Sequence, residues 1–127
     1  MIHQETTLAG KPVILGYCYA TEIAYKDLSG EDIADIIQET IAAVNAQPAR
    51  MLDAKRSIYL VLAAVMAYYQ SQEDDAPIKD SDLMNETTPF ELGTALGTII
   101  NLRAKFYNIP KGEPADKPAK GKGKTKN

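Results

Sequence analysis

The alternation of hydrophobic and polar positions near the N-terminus is typical of a β-hairpin. Ile2–Leu8 alternates loosely and is rich in threonine, Ala9-Gly10-Lys11 is typical of a turn, and Pro12–Gly16 returns. Gly10 has the backbone freedom that a tight turn requires, and Pro12, which has no N–H, suits the start of a strand. An isolated two-stranded ribbon is only marginally stable in water. The apolar residues of this hairpin must therefore pack on helices or on a second copy of the chain.

After the hairpin, apolar residues recur at helical spacing. Tyr19 and Ile23 lie on one face of a predicted helix of about two turns, which stops near Leu28-Ser29-Gly30. Ser29 is a favourable N-cap for a second predicted helix, which runs to about Asn45. The apolar stripe of this second helix consists of Ile33, Ile36, Ile37, Ile41 and Val44.

A third and longer helix is predicted from about Ala49, after the break at Pro48, to Gln72. Its second half, Ile58–Tyr69, is apolar or aromatic at every position and is therefore expected to be surrounded by other elements. A membrane-spanning helix needs about 20 such residues, so the segment is predicted to be a central core helix. The neighbouring elements are too few to surround it in a monomer, which predicts self-association.

The last helix has the clearest start signal in the sequence. Thr88 is its predicted N-cap, Pro89 occupies the first helical position and Glu91 completes a capping box. The helix is expected to continue to about Tyr107, and one or two helical turns are expected before it at Asp80–Asn85. The predicted fold is mainly α with a small N-terminal β-hairpin (α+β), with four to five helices around one long central helix.

Two glycines four residues apart, Gly93 and Gly97, form a face of small residues on this last helix. The same spacing brings helices close together in membranes, although the charged residues of this helix exclude a membrane span. We therefore expect another helix to approach this face closely. The expected contacts are the alanines of the third helix, Ala63, Ala64 and Ala67.

The two ends of the chain differ in charge. Residues 1–110 carry 15 acidic and 8 basic residues, whereas residues 111–127 carry six lysines and only two acids. The C-terminal segment also lacks aromatic and β-branched aliphatic residues, so it cannot bury enough apolar surface to offset its chain entropy. We predict one domain over residues 1–110 and a disordered lysine-rich tail over 111–127. Without an aromatic or an arginine, the tail favours a solubilising or partner-steering role over nucleic-acid binding.

The residue types that carry out chemistry are not grouped in the sequence as a reaction centre requires. His3, the only histidine, lies in a strand without the spacing of a nucleophile–base pair, and Cys18, the only cysteine, cannot form an intramolecular disulfide. Neither frame of the acidic run Glu73–Asp82 has the glycine of a calcium loop. The acids of the second helix are expected to form a solvated stripe. We predict no enzymatic activity, no cofactor and no metal site.

Apolar and aromatic residues of the hairpin, of the start of the first helix and of the long helix are the predicted partner-binding surface, since tyrosine can bury its ring and keep its hydroxyl in water. The candidates are Val13, Leu15, Tyr17, Tyr19, Tyr68 and Tyr69. The N-terminal residues Met1–Thr7 lack the basic and apolar regions of a secretion signal, which predicts a cytoplasmic protein.

The order of these elements resembles that of the small tail assembly chaperones of long-tailed bacteriophages and prophages. The likeness covers roughly residues 5–110. It rests on the strand pair that passes through Gly16–Ile23 into a helix, on the long apolar helix Ile58–Tyr69, on the acidic link to Ile78–Leu83, and on the closing helix Pro89–Tyr107.

The resemblance implies a mostly helical, self-associating protein of the bacterial cytoplasm. Such a protein coats the aggregation-prone tape-measure protein until tail-tube subunits replace it, and it performs no chemistry. The alternative from another class is a small structural subunit of the tail, or of the head–tail connector, that remains in the finished particle.

Overall fold

A computed structural model describes residues 1–47 and 53–108 of the protein. Its elements are β1 (Ile2–Leu8), β2 (Lys11–Tyr17), α1 (Tyr19–Ser29), α2 (Ile33–Asn45), α3 (Ala54–Ser71), α4 (Asp80–Glu86) and α5 (Pro89–Tyr107). This arrangement confirms the predicted fold class, a mainly helical protein with an N-terminal hairpin. The predicted lysine-rich tail, residues 111–127, lies outside the described residues. Among the residues that are described, no helix is both long and apolar enough to cross a lipid bilayer.

The hairpin forms because its turn and its alternation of apolar and polar residues specify the same pairing of the two strands. Ala9 and Gly10 both have positive φ, 51° and 75°, as a two-residue type I′ turn requires. This turn sets an antiparallel register in which Leu8 lies opposite Lys11 and Ile2 opposite Tyr17. Since side chains alternate between the two faces of a strand, one face carries the apolar residues and packs on the helices. Its buried residues are Leu8, Val13, Leu15 and Tyr17.

The core is built around α3, the longest predicted apolar segment. Helix α3 contacts β2, α1, α2, α4 and α5. Residues Leu60–Val65 and Ala67 are all buried in the single chain, at no more than 7% exposure. The expectation that a monomer has too few elements to surround this helix is therefore wrong, because β2 and α1 pack against α3 along with the other helices. Self-association remains a prediction, but a shortage of elements around α3 no longer supports it.

Two helix starts differ from the sequence prediction. Helix α1 extends through Ser29, whose hydroxyl donates to the Tyr25 carbonyl (2.8 Å), and Gly30 ends α1 in the left-handed conformation with φ 81°. Asp32 rather than Ser29 therefore precedes α2. Helix α3 begins at Ala54, where the Asp53 side chain accepts a hydrogen bond from the Lys55 N–H (2.8 Å). The predicted start at Ala49 lies outside the described residues.

Only the first half of the predicted α2 stripe enters the core. Ile33, Ile36 and Ile37 are buried as predicted, but Ile41 and Val44 are 44% and 69% exposed. Thr40 and Ala43 occupy the buried face instead. Thr40 can do so because its hydroxyl donates to the Ile36 carbonyl (2.7 Å), which satisfies its polar group inside the protein.

The glycine face of α5 is open to solvent in the single chain. Among residues 1–47 and 53–108, no atom of another element lies within 4 Å of a Cβ built on Gly93 or on Gly97. The predicted contacts Ala63, Ala64 and Ala67 are buried elsewhere in the core. The expectation that these residues pack together is therefore wrong. Helix α5 buries its opposite face, which includes Ala95, Ile99 and Leu102.

Arg56 on α3 forms ion pairs with Glu39 on α2 and with Glu31 just before α2. Its Nε donates to Glu31 (2.8 Å), and its terminal nitrogens donate to Glu39 (2.7 and 2.8 Å). Glu31 also accepts a hydrogen bond from the Tyr25 hydroxyl. The bond to Arg56 holds the pKa of Glu31 below its usual value. Burial, followed by the bond to Glu31, raises the pKa of Tyr25 to about 12. Glu39, expected on a solvated stripe, is therefore part of an ion-pair network.

Glu91 joins the start of α5 to the hairpin turn. Its carboxylate accepts hydrogen bonds from the backbone N–H groups of Ala9 (3.1 Å), Gly10 (3.0 Å) and Thr88 (3.0 Å). The Thr88 hydroxyl accepts from the Glu91 N–H (3.1 Å), which completes the capping box that the sequence predicts. These backbone donors hold the pKa of Glu91 below its usual value.

We predict that Glu91 makes folding stability sensitive to acid. A carboxyl whose pKa is lower in the folded state stabilises the protein above its unfolded pKa, about 4.3 for glutamate, and loses this effect as the pH falls through the folded pKa. Glu91→Gln should therefore unfold more easily than the original protein at pH 7, and the difference should shrink below about pH 4. Urea unfolding at several pH values measures it.

The control for this prediction is Glu86→Gln, which removes a carboxylate that makes no hydrogen bond within the described parts of the chain. This variant should show almost no loss at pH 7. Equal losses for the two variants would contradict the role given to Glu91.

Candidate functional site

A groove opens where α1, the start of α2 and the end of α5 meet. Its volume is about 490 Å³. Its walls combine apolar and charged side chains, namely Glu22, Ile23, Lys26, Asp27, Asp32, Ile33, Ala34, Arg103 and Tyr107. We call this feature, together with the adjoining rings of Tyr19 and Phe106, the aromatic groove.

Four aromatic rings meet beside the groove, with Phe106 at their centre. Its ring centroid lies 5.6 Å from that of Tyr17, 5.1 Å from that of Tyr19 and 5.1 Å from that of Tyr107. The contacts with Tyr19 and Tyr107 are close to perpendicular, an arrangement that aromatic pairs favour. The end of β2, the start of α1 and the end of α5 are thereby held together.

Glu22 fixes two of these rings by their hydroxyl groups. Its carboxylate accepts hydrogen bonds from Tyr17 (2.7 Å) and from Tyr107. The bond to Glu22, followed by partial burial, raises the pKa of Tyr107 to about 12. Burial, followed by the same carboxylate, raises the pKa of Tyr17 far above its usual value. Both hydroxyls therefore stay protonated at neutral pH and continue to donate.

Charged groups border the apolar part of the groove. Lys26 and Asp32 form an ion pair on one side (Nζ to Oδ1, 2.9 Å), which raises the pKa of Lys26. On the other side the Arg103 guanidinium lies 5.2 Å from the centre of the Tyr107 ring. The Arg103 Nε is buried and has no hydrogen-bond partner within residues 1–47 and 53–108.

The apolar residues at the groove are unusually accessible for their size. Tyr19 is 63% exposed, Ile23 is 62% exposed and Tyr107 is 50% exposed. Because Tyr19 and Ile23 are four residues apart on α1, they lie on the same side of the helix. They form a continuous apolar surface with the rings at the end of α5. Such a surface suits an apolar side chain of another protein.

The six residues predicted to bind a partner fall into three environments. Val13, Leu15 and Tyr17 have no exposed surface, so the folded chain cannot offer them to a partner, and their assignment is corrected to the core. The reason is that α3 and α5 cover this face of the hairpin. Tyr19 is exposed and belongs to the aromatic groove.

Tyr68 and Tyr69 are half-buried and lie at the hairpin, away from the groove. The Tyr69 hydroxyl accepts a hydrogen bond from the Ile14 N–H (3.1 Å). The Tyr68 ring lies 5.2 Å from the ring of His3. Both tyrosines therefore have contacts within the chain, and the structure does not bring them together with Tyr19.

Sequence reasoning missed Ile23, Arg103, Phe106 and Tyr107 as site residues. The available signal was the pair of aromatic residues Phe106-Tyr107 at the predicted end of the last helix. Other exposed apolar side chains lie outside the groove; these are Ile41, Val44, Met84 and Phe90. In the part of the chain that the structure describes, no three His, Cys, Asp or Glu side chains are placed to hold a metal ion.

Comparisons with known proteins complete the description of the site. No protein-family model, curated protein or solved structure matches the chain.

Proposed function

We propose that this chain is a protein-binding chaperone without enzymatic activity, whose aromatic groove holds an apolar segment of a tape-measure protein during phage tail assembly. One observation carries the proposal: Tyr19, Ile23 and Tyr107 stay half or more exposed beside a groove whose walls are held in place by Glu22. Large apolar side chains grouped at a concave surface, with a charged border, are typical of protein–protein binding sites.

The groove suits an amphipathic helix better than a small molecule. Its lining includes the apolar residues Ile23, Ile33 and Ala34 and the ring of Tyr107, and the groove is open to solvent rather than enclosed. A helix binds such a groove through apolar side chains at positions three and four residues apart. Because the Tyr107 ring is already fixed by its hydrogen bond to Glu22, little side-chain freedom is lost on binding.

Charge supports a solubilising role. The chain has a formal net charge of −3 and a sequence pI of about 5.1. A chain that binds an aggregation-prone segment and adds negative charge keeps the complex dispersed. At the groove itself, Arg103 is a lining residue, and its positive charge favours an acidic residue of the bound helix at that end.

The proposal predicts that a charge at Ile23 abolishes binding while the same charge elsewhere does not. Ile23→Lys places an ammonium group against the apolar surface that the partner must cover, so affinity should fall by about tenfold or more. Val44→Lys is the matched control, because Val44 is similarly exposed on α2 outside the groove. Binding is measured by titrating a purified tape-measure fragment, and solubility by co-expressing the full tape-measure protein.

Two results would contradict the proposal. One is a tape-measure protein that is equally soluble with and without this chain. The other is equal binding by the Ile23 and Val44 variants. Mass spectrometry of purified particles separates the chaperone from the structural-subunit alternative, since a chaperone is absent from the finished particle and a structural subunit is retained.

A further inference from the structure

The two outer edges of the hairpin differ in whether their outward-pointing backbone N–H and C=O groups are hydrogen-bonded. On the β2 edge, Pro12 has no N–H, the Ile14 N–H donates to the Tyr69 hydroxyl (3.1 Å), and the Gly16 carbonyl accepts from the Thr21 hydroxyl (2.9 Å). Each outward position of β2 therefore has one backbone group that is missing or already paired, so this edge cannot form a continuous ladder with another strand.

The β1 edge is open. In the hairpin register Thr7 lies opposite Pro12, Glu5 opposite Ile14 and His3 opposite Gly16. Facing residues of an antiparallel pair alternate between those bonded to each other and those whose backbone groups point away. Since Ile14 donates away from β1, these three pairs are of the second kind.

The backbone groups of His3, Glu5 and Thr7 therefore point outward. Their N–H groups make no hydrogen bond to any residue of 1–47 or 53–108, and all three side chains are exposed. Natural proteins protect such an edge with lysine, proline or a bulge. Strand β1 has no lysine, proline or bulge, and its one acidic side chain is Glu5, whereas β2 has both Lys11 and Pro12.

We propose that β1 pairs antiparallel with β1 of a second copy of this chain, which gives a four-stranded sheet in the order β2-β1-β1-β2. A twofold axis between the two β1 strands makes every contact occur twice. The surface is separate from the aromatic groove, so this inference goes beyond the proposed function and does not depend on it.

The side chains at the outward-pointing positions select both the occupant and the register. Three registers oppose two or more of these positions. The first pairs Glu5 with Thr7 of the second copy and leaves His3 outside the paired segment. The second pairs Glu5 with Glu5 of the second copy, which places like charges directly opposite and is destabilising. The third pairs His3 with Glu5 of the second copy, and the reverse contact forms on the far side of the axis. Only this third register places a hydrogen-bond donor, the imidazole N–H, opposite each carboxylate, and a second copy of β1 supplies it without any further partner.

The same register continues the hydrophobic face of the hairpin. It places Ile2 opposite Thr6 of the second copy, with Gln4 facing Gln4 at the axis. Ile2 and Thr6 are half-buried in the single chain, on the face that packs on the helices. Pairing therefore covers further apolar surface on that face while His3 and Glu5 remain on the outer one.

The test is sedimentation of the full chain over a range of concentrations. We expect a monomer–dimer equilibrium and a tenfold or greater rise of the dissociation constant in Glu5→Pro and in Glu5→Lys. Proline at this outward position removes a donor from the open edge without removing a bond to β2. The double variant His3→Glu/Glu5→His exchanges the two side chains and should restore the dimer of the original protein.

Asp35→Lys is the matched control, since it makes the same change of charge on α2 as Glu5→Lys makes on β1, and it should leave the equilibrium unchanged. Far-ultraviolet circular dichroism checks that each variant folds. If the proline variant does not fold, Glu5→Lys and the exchanged variant still test the proposal. A protein that stays monomeric up to about 1 mM would overturn the proposal. So would a dimer that Glu5→Lys leaves intact, or β1 amides that become protected only when a different protein is added.

Discussion

Leu15→Ala should reduce the free energy of unfolding by about 2–5 kcal/mol, the range found when a buried leucine is truncated and a cavity remains. Leu15 has no exposed surface and belongs to the hairpin face that α3 and α5 cover. If it instead served a partner surface, as its sequence pattern first suggested, its truncation would affect binding and leave stability nearly unchanged. Urea unfolding followed by circular dichroism measures the difference.

The control for Leu15 is Ile23→Ala, which truncates an aliphatic side chain in the aromatic groove. Because Ile23 is 62% exposed, its removal should change the free energy of unfolding by less than about 0.5 kcal/mol. Leu15→Ala should therefore lower stability without removing a binding residue, whereas Ile23→Ala should weaken binding and leave stability nearly unchanged. A stable Leu15→Ala protein that fails to bind would contradict the assignment of this residue to the core.

Gly16→Ala and Gly93→Ala should change stability with opposite signs. A Cβ on Gly16 would lie 3.0 Å from Cβ and 3.2 Å from Cα of Tyr68, so β2 and α3 would have to move apart. Overpacking of this kind costs about 1–3 kcal/mol. Gly93 lies in a helix with open space around it, where alanine stabilises by roughly 0.5–1 kcal/mol. Thermal and urea unfolding of both variants measure the two effects.

The glycine pair also tests where α5 makes its contacts. If the face of Gly93 and Gly97 packed closely on another helix of the same chain, alanine at Gly93 would destabilise the protein as it does at Gly16. A loss of stability in both variants would contradict the description of α5 as a helix with an open glycine face.

Elements with strong local signals could be predicted from the sequence. The start of α5 at Pro89 follows from the capping box of Thr88 and Glu91, whose bonds form within a few residues. The hairpin follows from its alternation and from the turn at Gly10, although Lys11, which the sequence prediction placed in the turn, begins β2 opposite Leu8, so the turn has two residues rather than three. In both cases the interactions that determine the structure are close in sequence.

The exposed faces could not be predicted, because they depend on which elements meet. Ile41 and Val44 continue the apolar stripe of α2, yet Thr40 and Ala43 take the buried positions since only the first half of that face meets the core. Periodicity shows that a face is apolar, but it does not show whether the neighbouring elements are long enough to cover it.

The aromatic groove depends on contacts between distant parts of the sequence. Glu22 binds the hydroxyl of Tyr107, 85 residues further along the chain. Nothing in the spacing of either residue indicates this bond. The predicted partner-binding set therefore included Tyr19, which is exposed, but also Val13, Leu15 and Tyr17, whose burial depends on α3 and α5.

The bond between the hairpin turn and Glu91 has a consequence for how the protein is made. Strands β1 and β2 leave the ribosome well before α5, which covers β1 and holds the turn. The apolar face of the hairpin therefore stays incompletely covered until α5 has been synthesised. The native structure can be completed only after Tyr107 has left the exit tunnel. We expect nascent chains stalled before this point to be protease-sensitive throughout the ribbon.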